Sequence, residues 1–151
     1  MITWHKEVMA AALHIAQARL AAPSIEQDAA AEMLRSLDSS YVEQTVDEYA
    51  RRRNIALATL NEIPGVTAYP PEGGFYLLAD LPVDDAEEFA IFMLRDFSYE
   101  GETVFVAPAG GFYMHPEIGK RTMRIAFVLE EKDMKRALTV LKHGLDAYKR
   151  S

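Results

Sequence analysis

The fold is decided by one stretch of the sequence, Thr122-Met123-Arg124-Ile125-Ala126-Phe127-Val128-Leu129. Its odd-numbered positions are large and apolar, an alternation that predicts a β-strand with one buried face. Arg124 falls on the opposite face, beside small or medium apolar residues. A guanidinium in such surroundings is costly unless an anion pairs with it, and its planar fork suits a carboxylate. Two interpretations follow: Arg124 binds the carboxylate of a ligand, or it pairs with one of the chain's own acidic side chains.

The chain around this strand changes from a helical to a strand-like period after Gly65. Four strands are predicted, at residues 66–69, 75–81, 103–107 and 122–129. A helix capped by Asp84 and Asp85 separates the second strand from the third, and a helix with one apolar face closes the chain. The order is therefore ββαββα. It predicts an α/β domain of the α+β kind, with an open mixed or antiparallel sheet on which the helices pack.

Three helices are predicted before this sheet, at residues 3–20, 24–37 and 40–63. Capping boxes mark two of the starts, with Ser24 and Gln27 in the second helix and Ser40 and Glu43 in the third. The first helix is apolar around most of its circumference, which indicates that it needs cover on more than one side.

The third helix is the basis of the predicted domain boundary. At 1.5 Å per residue it is roughly 34 Å long, which exceeds what a compact domain of this size needs. We therefore interpret residues 40–63 as a connecting helix of a small domain at residues 40–151. Residues 1–39, with two helices, are predicted to be the C-terminal edge of another, larger domain.

The composition excludes several classes of function. With 151 residues and a net charge of −7, the chain is acidic and has no basic stripe, which argues against a nucleic-acid partner. No apolar run is long enough to span a membrane. The absence of cysteine excludes disulfides and zinc–thiolate sites, and no histidine has metal-ligand spacing. His115 precedes the Arg124 strand in a loop, where a solvated side chain is the ordinary expectation. We expect a cytoplasmic protein with no bound metal.

Five segments, taken in order, resemble one known family. They are Ala22-Pro23-Ser24-Ile25-Glu26-Gln27, Tyr49-Ala50-Arg51-Arg52-Arg53, Pro71-Glu72-Gly73-Gly74-Phe75-Tyr76, Val106-Ala107-Pro108-Ala109-Gly110-Gly111-Phe112-Tyr113 and Met123-Arg124-Ile125-Ala126-Phe127-Val128-Leu129. Together they resemble the C-terminal part of class I aminotransferases, which are pyridoxal-phosphate enzymes of the aspartate aminotransferase fold (fold type I). The resemblance implies amino transfer between an amino acid, with aspartate as one candidate donor, and a 2-oxo acid.

The resemblance also implies roles for individual residues. Arg124 matches the arginine that binds the α-carboxylate of the substrate. Phe75 matches an aromatic residue of the substrate pocket, although a plain core role is an alternative. The segment around Ser24 matches one that reaches the neighbouring subunit's cofactor pocket, while Ser24 itself is interpreted as the helix N-cap. Pyridoxal 5'-phosphate is the implied cofactor of the complete enzyme, and a homodimer is the implied assembly.

One feature of the family is missing. Its Schiff-base lysine follows a serine and precedes a stretch with glycine and arginine. None of the six lysines here has that context; they are at positions 6, 120, 132, 135, 142 and 149. We therefore expect a fragment that needs the absent large domain as partner, binds no cofactor specifically and is inactive alone. The alternative is a non-enzymatic α/β module that binds a small carboxylate or another protein.

Overall fold

A computed structural model describes residues 5–18 and 23–149. The described part contains five α-helices and four β-strands. They are α1 (Lys6–Ala18), α2 (Ser24–Ser36), α3 (Ser39–Asn61), β1 (Thr67–Tyr69), β2 (Tyr76–Asp80), α4 (Ala86–Arg95), β3 (Ala107–Pro108), β4 (Thr122–Ala126) and α5 (Glu131–Tyr148). From β1 onward the order is ββαββα, as predicted. The chain divides into two compact units, residues 1–42 and 43–151. The predicted boundary after residue 39 stays a prediction.

The first unit contains α1, α2 and the beginning of α3. The predicted ends of the first helix, at residues 3 and 20, lie outside the described residues. Neither predicted capping box is observed. Pro23 occupies the N-cap of α2 without a side-chain cap hydrogen bond, so Ser24 is the first helical residue and not the cap. Before α3, the Asp38 carboxylate accepts a 3.4 Å hydrogen bond from the Ser40 N–H. The side-chain acceptor at the start of this helix is therefore Asp38, where the sequence predicts Ser40.

The second unit is built on a four-stranded antiparallel sheet in the order β1-β2-β4-β3. Asp80 of β2 lies opposite Thr67 on one side and Thr122 on the other. Directly opposed residues of an antiparallel sheet point to the same face, and successive residues of a strand point to opposite faces. This register therefore gives the sheet two chemically different faces.

One face of the sheet is the core, and it is covered by helices. The buried sheet residues are Ala68, Leu77, Ala79, Met123 and Ile125, and Phe127 continues them beyond β4. They cluster with buried side chains of α3, α4 and α5, among them Leu60, Phe89, Met93, Leu138 and Leu141. Burying side chains of this size stabilises a domain by about 1.5–3 kcal/mol each. The alternation predicted around Arg124 is thereby confirmed as far as Phe127, whereas Leu129 is exposed.

The predicted strand at residues 103–107 is mostly wrong. Only Ala107 and Pro108 pair with β4, and Phe105 is 77% exposed. The Thr103 hydroxyl instead donates a 2.7 Å hydrogen bond to the Met93 carbonyl, which ties the start of this segment to α4. β4 is also shorter than predicted, since it ends at Ala126.

Local signals fix the helices that frame the sheet. Asp85 caps α4 by accepting from the backbone N–H groups of Glu87 and Glu88, as predicted. α3 ends at Asn61, two residues before the predicted end. Gly65 then turns the chain with a φ of +82°, a left-handed conformation that suits glycine. Within residues 5–18 and 23–149, none of the helices is both long enough and apolar enough to cross a bilayer.

Candidate functional site

Arg124 lies in the middle of β4, on the face of the sheet opposite the core. It is opposite Leu78 of β2 and Ala107 of β3. Both of its strand neighbours, Met123 and Ile125, are buried, whereas Arg124 itself is only partly exposed. Two buried neighbours therefore hold the base of the side chain in place, while the guanidinium lies on the face opposite the core.

Two aromatic rings contact the Arg124 guanidinium. Its Cζ lies 4.4 Å from the centroid of the Tyr76 ring and 4.7 Å from the centroid of the Phe112 ring. Such cation–π contacts contribute about 0.5–1 kcal/mol each at exposed sites. Among the described residues, no carboxylate lies within 4.0 Å of this guanidinium. The interpretation of Arg124 as one half of an internal ion pair therefore has no partner in the described part of the chain.

A polar cluster lies on the same face, one step along the strands. The Asp80 carboxylate accepts a 2.6 Å hydrogen bond from the Thr122 hydroxyl and a 2.8 Å hydrogen bond from the Tyr69 hydroxyl. The hydrogen bond to Asp80 raises the pKa of the Tyr69 phenol, because it favours the neutral form. Thr122 is only 4% exposed and Asp80 satisfies its hydroxyl. The cluster links β1, β2 and β4 two residues from Arg124.

Phe75 lies elsewhere. Its ring packs against Tyr49 of α3, with 4.7 Å between the centroids. Both line a groove of about 310 Å³ between α3 and residues 71–75. Phe75 precedes β2, and its contact with Tyr49 places its ring against α3, whereas Tyr76 is the first residue of β2 and contacts Arg124. The structure therefore brings Tyr76 to Arg124 and leaves Phe75 on the helix side.

Sequence reasoning missed both aromatic contacts of Arg124. Tyr76 lies opposite Ala126, two residues from Arg124 on the same face. The alternation of β2 and β4 together with their register contains that signal. Phe112 lies in a short 3-10 helix, Gly110–Phe112, within a stretch that the sequence predicts only as a loop. No local sequence pattern indicates that the loop carrying Phe112 contacts β4.

The described residues do not fit the cofactor implied by the family resemblance. A Schiff-base lysine needs a desolvated pocket to titrate near neutrality. All six lysines of the chain are exposed. Lys120, the one nearest to Arg124 in sequence, has its ammonium 4.0 Å from the Asp85 carboxylate. His115 is exposed as well. Among these residues, Arg124 is the one whose chemistry suits the recognition of an anion, and none of the lysines has the burial that would activate it as a nucleophile.

Comparison with known proteins gives a consistent result. A family model described as "Aminotransferase class I and II" matches residues 1–141. An aspartate aminotransferase of Musicola paradisiaca is 40% identical over 60 residues, which cover 38% of this chain and 15% of that protein. An aspartate aminotransferase of Pyrococcus horikoshii is 28% identical over 129 residues, covering 83% of this chain and 31% of that protein.

A solved structure shares the fold. It is the kynurenine aminotransferase of Pyrococcus horikoshii in complex with PMP, with KYN as substrate and KYA as product. It is similar with a TM-score of 0.60 and 25% identity, covering 76% of this chain and 28% of that one. This likeness confirms the predicted fold class. The chain spans between 15% and 31% of the length of the curated relatives it matches.

Proposed function

The chain belongs to the class I and II aminotransferase family, and from this premise we propose that it is the C-terminal, small-domain part of a pyridoxal-phosphate-dependent aminotransferase. The complete enzyme transfers an amino group between an amino acid and a 2-oxo acid. Three of the relatives are named aspartate aminotransferases, which supports aspartate as a donor. In this proposal the large domain holds the cofactor, and the residues of this chain do not.

The observation that carries the proposal is the state of Arg124. Its guanidinium has aromatic rings beside it and, within the described residues, no carboxylate partner. A guanidinium that stacks on an aromatic ring uses its face, while a bidentate carboxylate binds along its edge in the same plane. The two interactions are compatible. We infer that Arg124 binds the α-carboxylate of the substrate, and that Phe75 lines the substrate pocket from the groove beside α3.

The partners follow from the same proposal. Besides the substrate, they are the large domain and a second copy of the enzyme, in a cytoplasmic homodimer. Several large apolar side chains of α1 are exposed, and they support this assignment: Val8, Met9, Leu13 and Ile15. Contiguous exposed apolar patches on soluble proteins mark interaction surfaces.

A non-enzymatic carboxylate-binding module is the second candidate, and the exposure of every lysine favours it. The two candidates differ in affinity and selectivity. A lone arginine on an open sheet face, with the rest of its pocket on another domain, binds carboxylates weakly and unselectively. A self-sufficient module binds one carboxylate with a Kd well below about 1 mM, equivalent to more than about 4 kcal/mol.

The test uses residues 1–151. The Arg124 Nε–H resonance is followed by NMR during titration with acetate and with succinate at constant ionic strength. We expect weak, saturable shifts that Arg124→Gln abolishes and Arg124→Lys restores poorly, because an ammonium lacks the fork. Arg121→Gln, which removes the same charge three residues away, is the matched control. Tight binding of a single carboxylate favours the module, and binding unaffected by Arg124→Gln contradicts the assigned role.

A second arm tests the cofactor assignment. The chain is incubated with pyridoxal phosphate, reduced with borohydride and digested. Scattered low-level adducts on exposed lysines are expected. A stoichiometric adduct on one lysine would show that this chain holds the cofactor by itself, which the proposal denies.

A further inference from the structure

We propose that Tyr76 and Phe112 are positioning residues that hold the Arg124 guanidinium in its carboxylate-binding orientation. This inference rests on the function proposed for Arg124. It adds two residues that make contact with the arginine and not with the substrate carboxylate.

Both rings lie at cation–π distance from the guanidinium. The Cζ-to-centroid distances are 4.4 Å for Tyr76 and 4.7 Å for Phe112. Among the described aromatic residues, these two rings make no contact with each other. In the proposed arrangement the two rings stack on opposite faces of the planar guanidinium. The edge of the guanidinium, with its N–H donors, then remains available to a carboxylate.

The rings come from two parts of the unit that are both fixed to β4. Tyr76 belongs to β2 and lies opposite Ala126. The base of the Phe112 turn is held by two hydrogen bonds: the Ala109 N–H donates to the Thr122 carbonyl at 2.8 Å, and the Phe112 N–H donates to the Ala109 carbonyl at 2.9 Å. Ala109 is fully buried. The backbone under each ring is thus tied to the strand that carries Arg124.

Arg124 needs such support, because no carboxylate of the described residues holds its long side chain. Immobilising a rotamer-rich side chain on binding is costly, and holding it beforehand removes that cost. Removal of one ring should therefore weaken carboxylate binding by about 3- to 10-fold, the range that corresponds to ordering one such side chain.

The experiment compares non-aromatic with aromatic replacements in the chain of residues 1–151. Phe112→Leu and Tyr76→Leu remove a ring, whereas Phe112→Tyr and Tyr76→Phe keep one. Phe105→Leu is the matched control, because Phe105 is also an exposed phenylalanine and has no cation–π contact with Arg124. Both ring positions are largely exposed, so the variants should fold, and thermal melting verifies this.

Two readouts are taken for each variant: the ring-current shift of the Arg124 Nε–H resonance without ligand, and the affinity for acetate. We expect Phe112→Leu and Tyr76→Leu each to reduce the ring-current shift and to weaken acetate binding by about 3- to 10-fold. The aromatic replacements and Phe105→Leu should change neither. Acetate binding that persists unchanged in both leucine variants overturns this inference and leaves the role of Arg124 intact. Failure of the unmodified chain to bind acetate overturns the proposed function itself, and the positioning role with it.

Discussion

Replacement of Thr122 by valine should destabilise the second unit by about 1.5–3 kcal/mol, the usual contribution of a hydrogen bond to a charged group. Valine has nearly the shape of threonine, so the change removes the hydroxyl and creates no cavity. The Thr122 side chain is buried, and its hydroxyl donates to the Asp80 carboxylate at 2.6 Å. Without that donor, the Asp80 carboxylate keeps the hydrogen bond from the Tyr69 hydroxyl and loses the one from Thr122.

Urea unfolding at pH 7, followed by circular dichroism, measures the effect. With an m-value of about 2 kcal/mol/M, the midpoint should fall by about 1 M. The decisive comparison repeats the change in an Asp80→Ala background. There the Thr122 hydroxyl has no carboxylate to donate to, so valine should be neutral or stabilising. An equal loss in both backgrounds would refute the reasoning, because it would show that the loss has nothing to do with the carboxylate.

Three further outcomes are expected. Gly144→Ala should lower the melting temperature and cost about 1–3 kcal/mol, because a Cβ there would overlap the buried Met93 side chain; an unchanged melting temperature would mean that this packing yields easily. The free energy of unfolding should fall as the pH rises above about 10, because the hydrogen bond to Asp80 raises the pKa of the Tyr69 phenol in the folded state. The stabilisation from this hydrogen bond is complete below the pKa that the phenol has in the unfolded chain, and it is lost as the pH rises through the higher pKa of the folded state. Tyr69→Phe should reduce that fall in alkaline unfolding titrations, and an identical pH profile would contradict it. The chain should self-associate in light scattering, whereas deletion of residues 1–39 should leave a more monomeric domain; a full chain that stays monomeric at high concentration would disprove this.

The sequence predicts secondary structure well where the pattern that specifies it lies within a few residues. The alternation around Arg124 and the capping aspartate of α4 both depend on residues within a few positions of each other, and both are observed. The run at residues 103–107 has equally strong β-propensity, but its start is tied to the Met93 carbonyl ten residues away. Strand propensity depends on the neighbours that a segment finds, and these neighbours are not visible in the segment itself.

The candidate site likewise combines features that local sequence predicts with features that depend on distant residues. The unusual setting of Arg124 is readable from its own strand. The aromatic partner in β2 follows once the register is known. Phe112 depends on a loop whose path is set by a hydrogen bond between Ala109 and the Thr122 carbonyl. The predicted caps of α2 and α3 are wrong for a different reason: Pro23 occupies the N-cap directly before Ser24, and the Asp38 carboxylate, two residues before Ser40, accepts from the Ser40 N–H.

The two faces of β4 place different physical limits on substitution at neighbouring residues. Met123 and Ile125 face the core, so changes in them are limited by volume and tolerated when another apolar side chain fills the same space. Arg124 lies between them on the opposite face, so under the role proposed for it the limit on its replacement is the chemistry of its ligand. Under the same proposal, a change of ligand can arise by mutation on the face of Arg124 while the core stays intact. Mutations of the core face can drift through apolar alternatives without altering what the protein recognises.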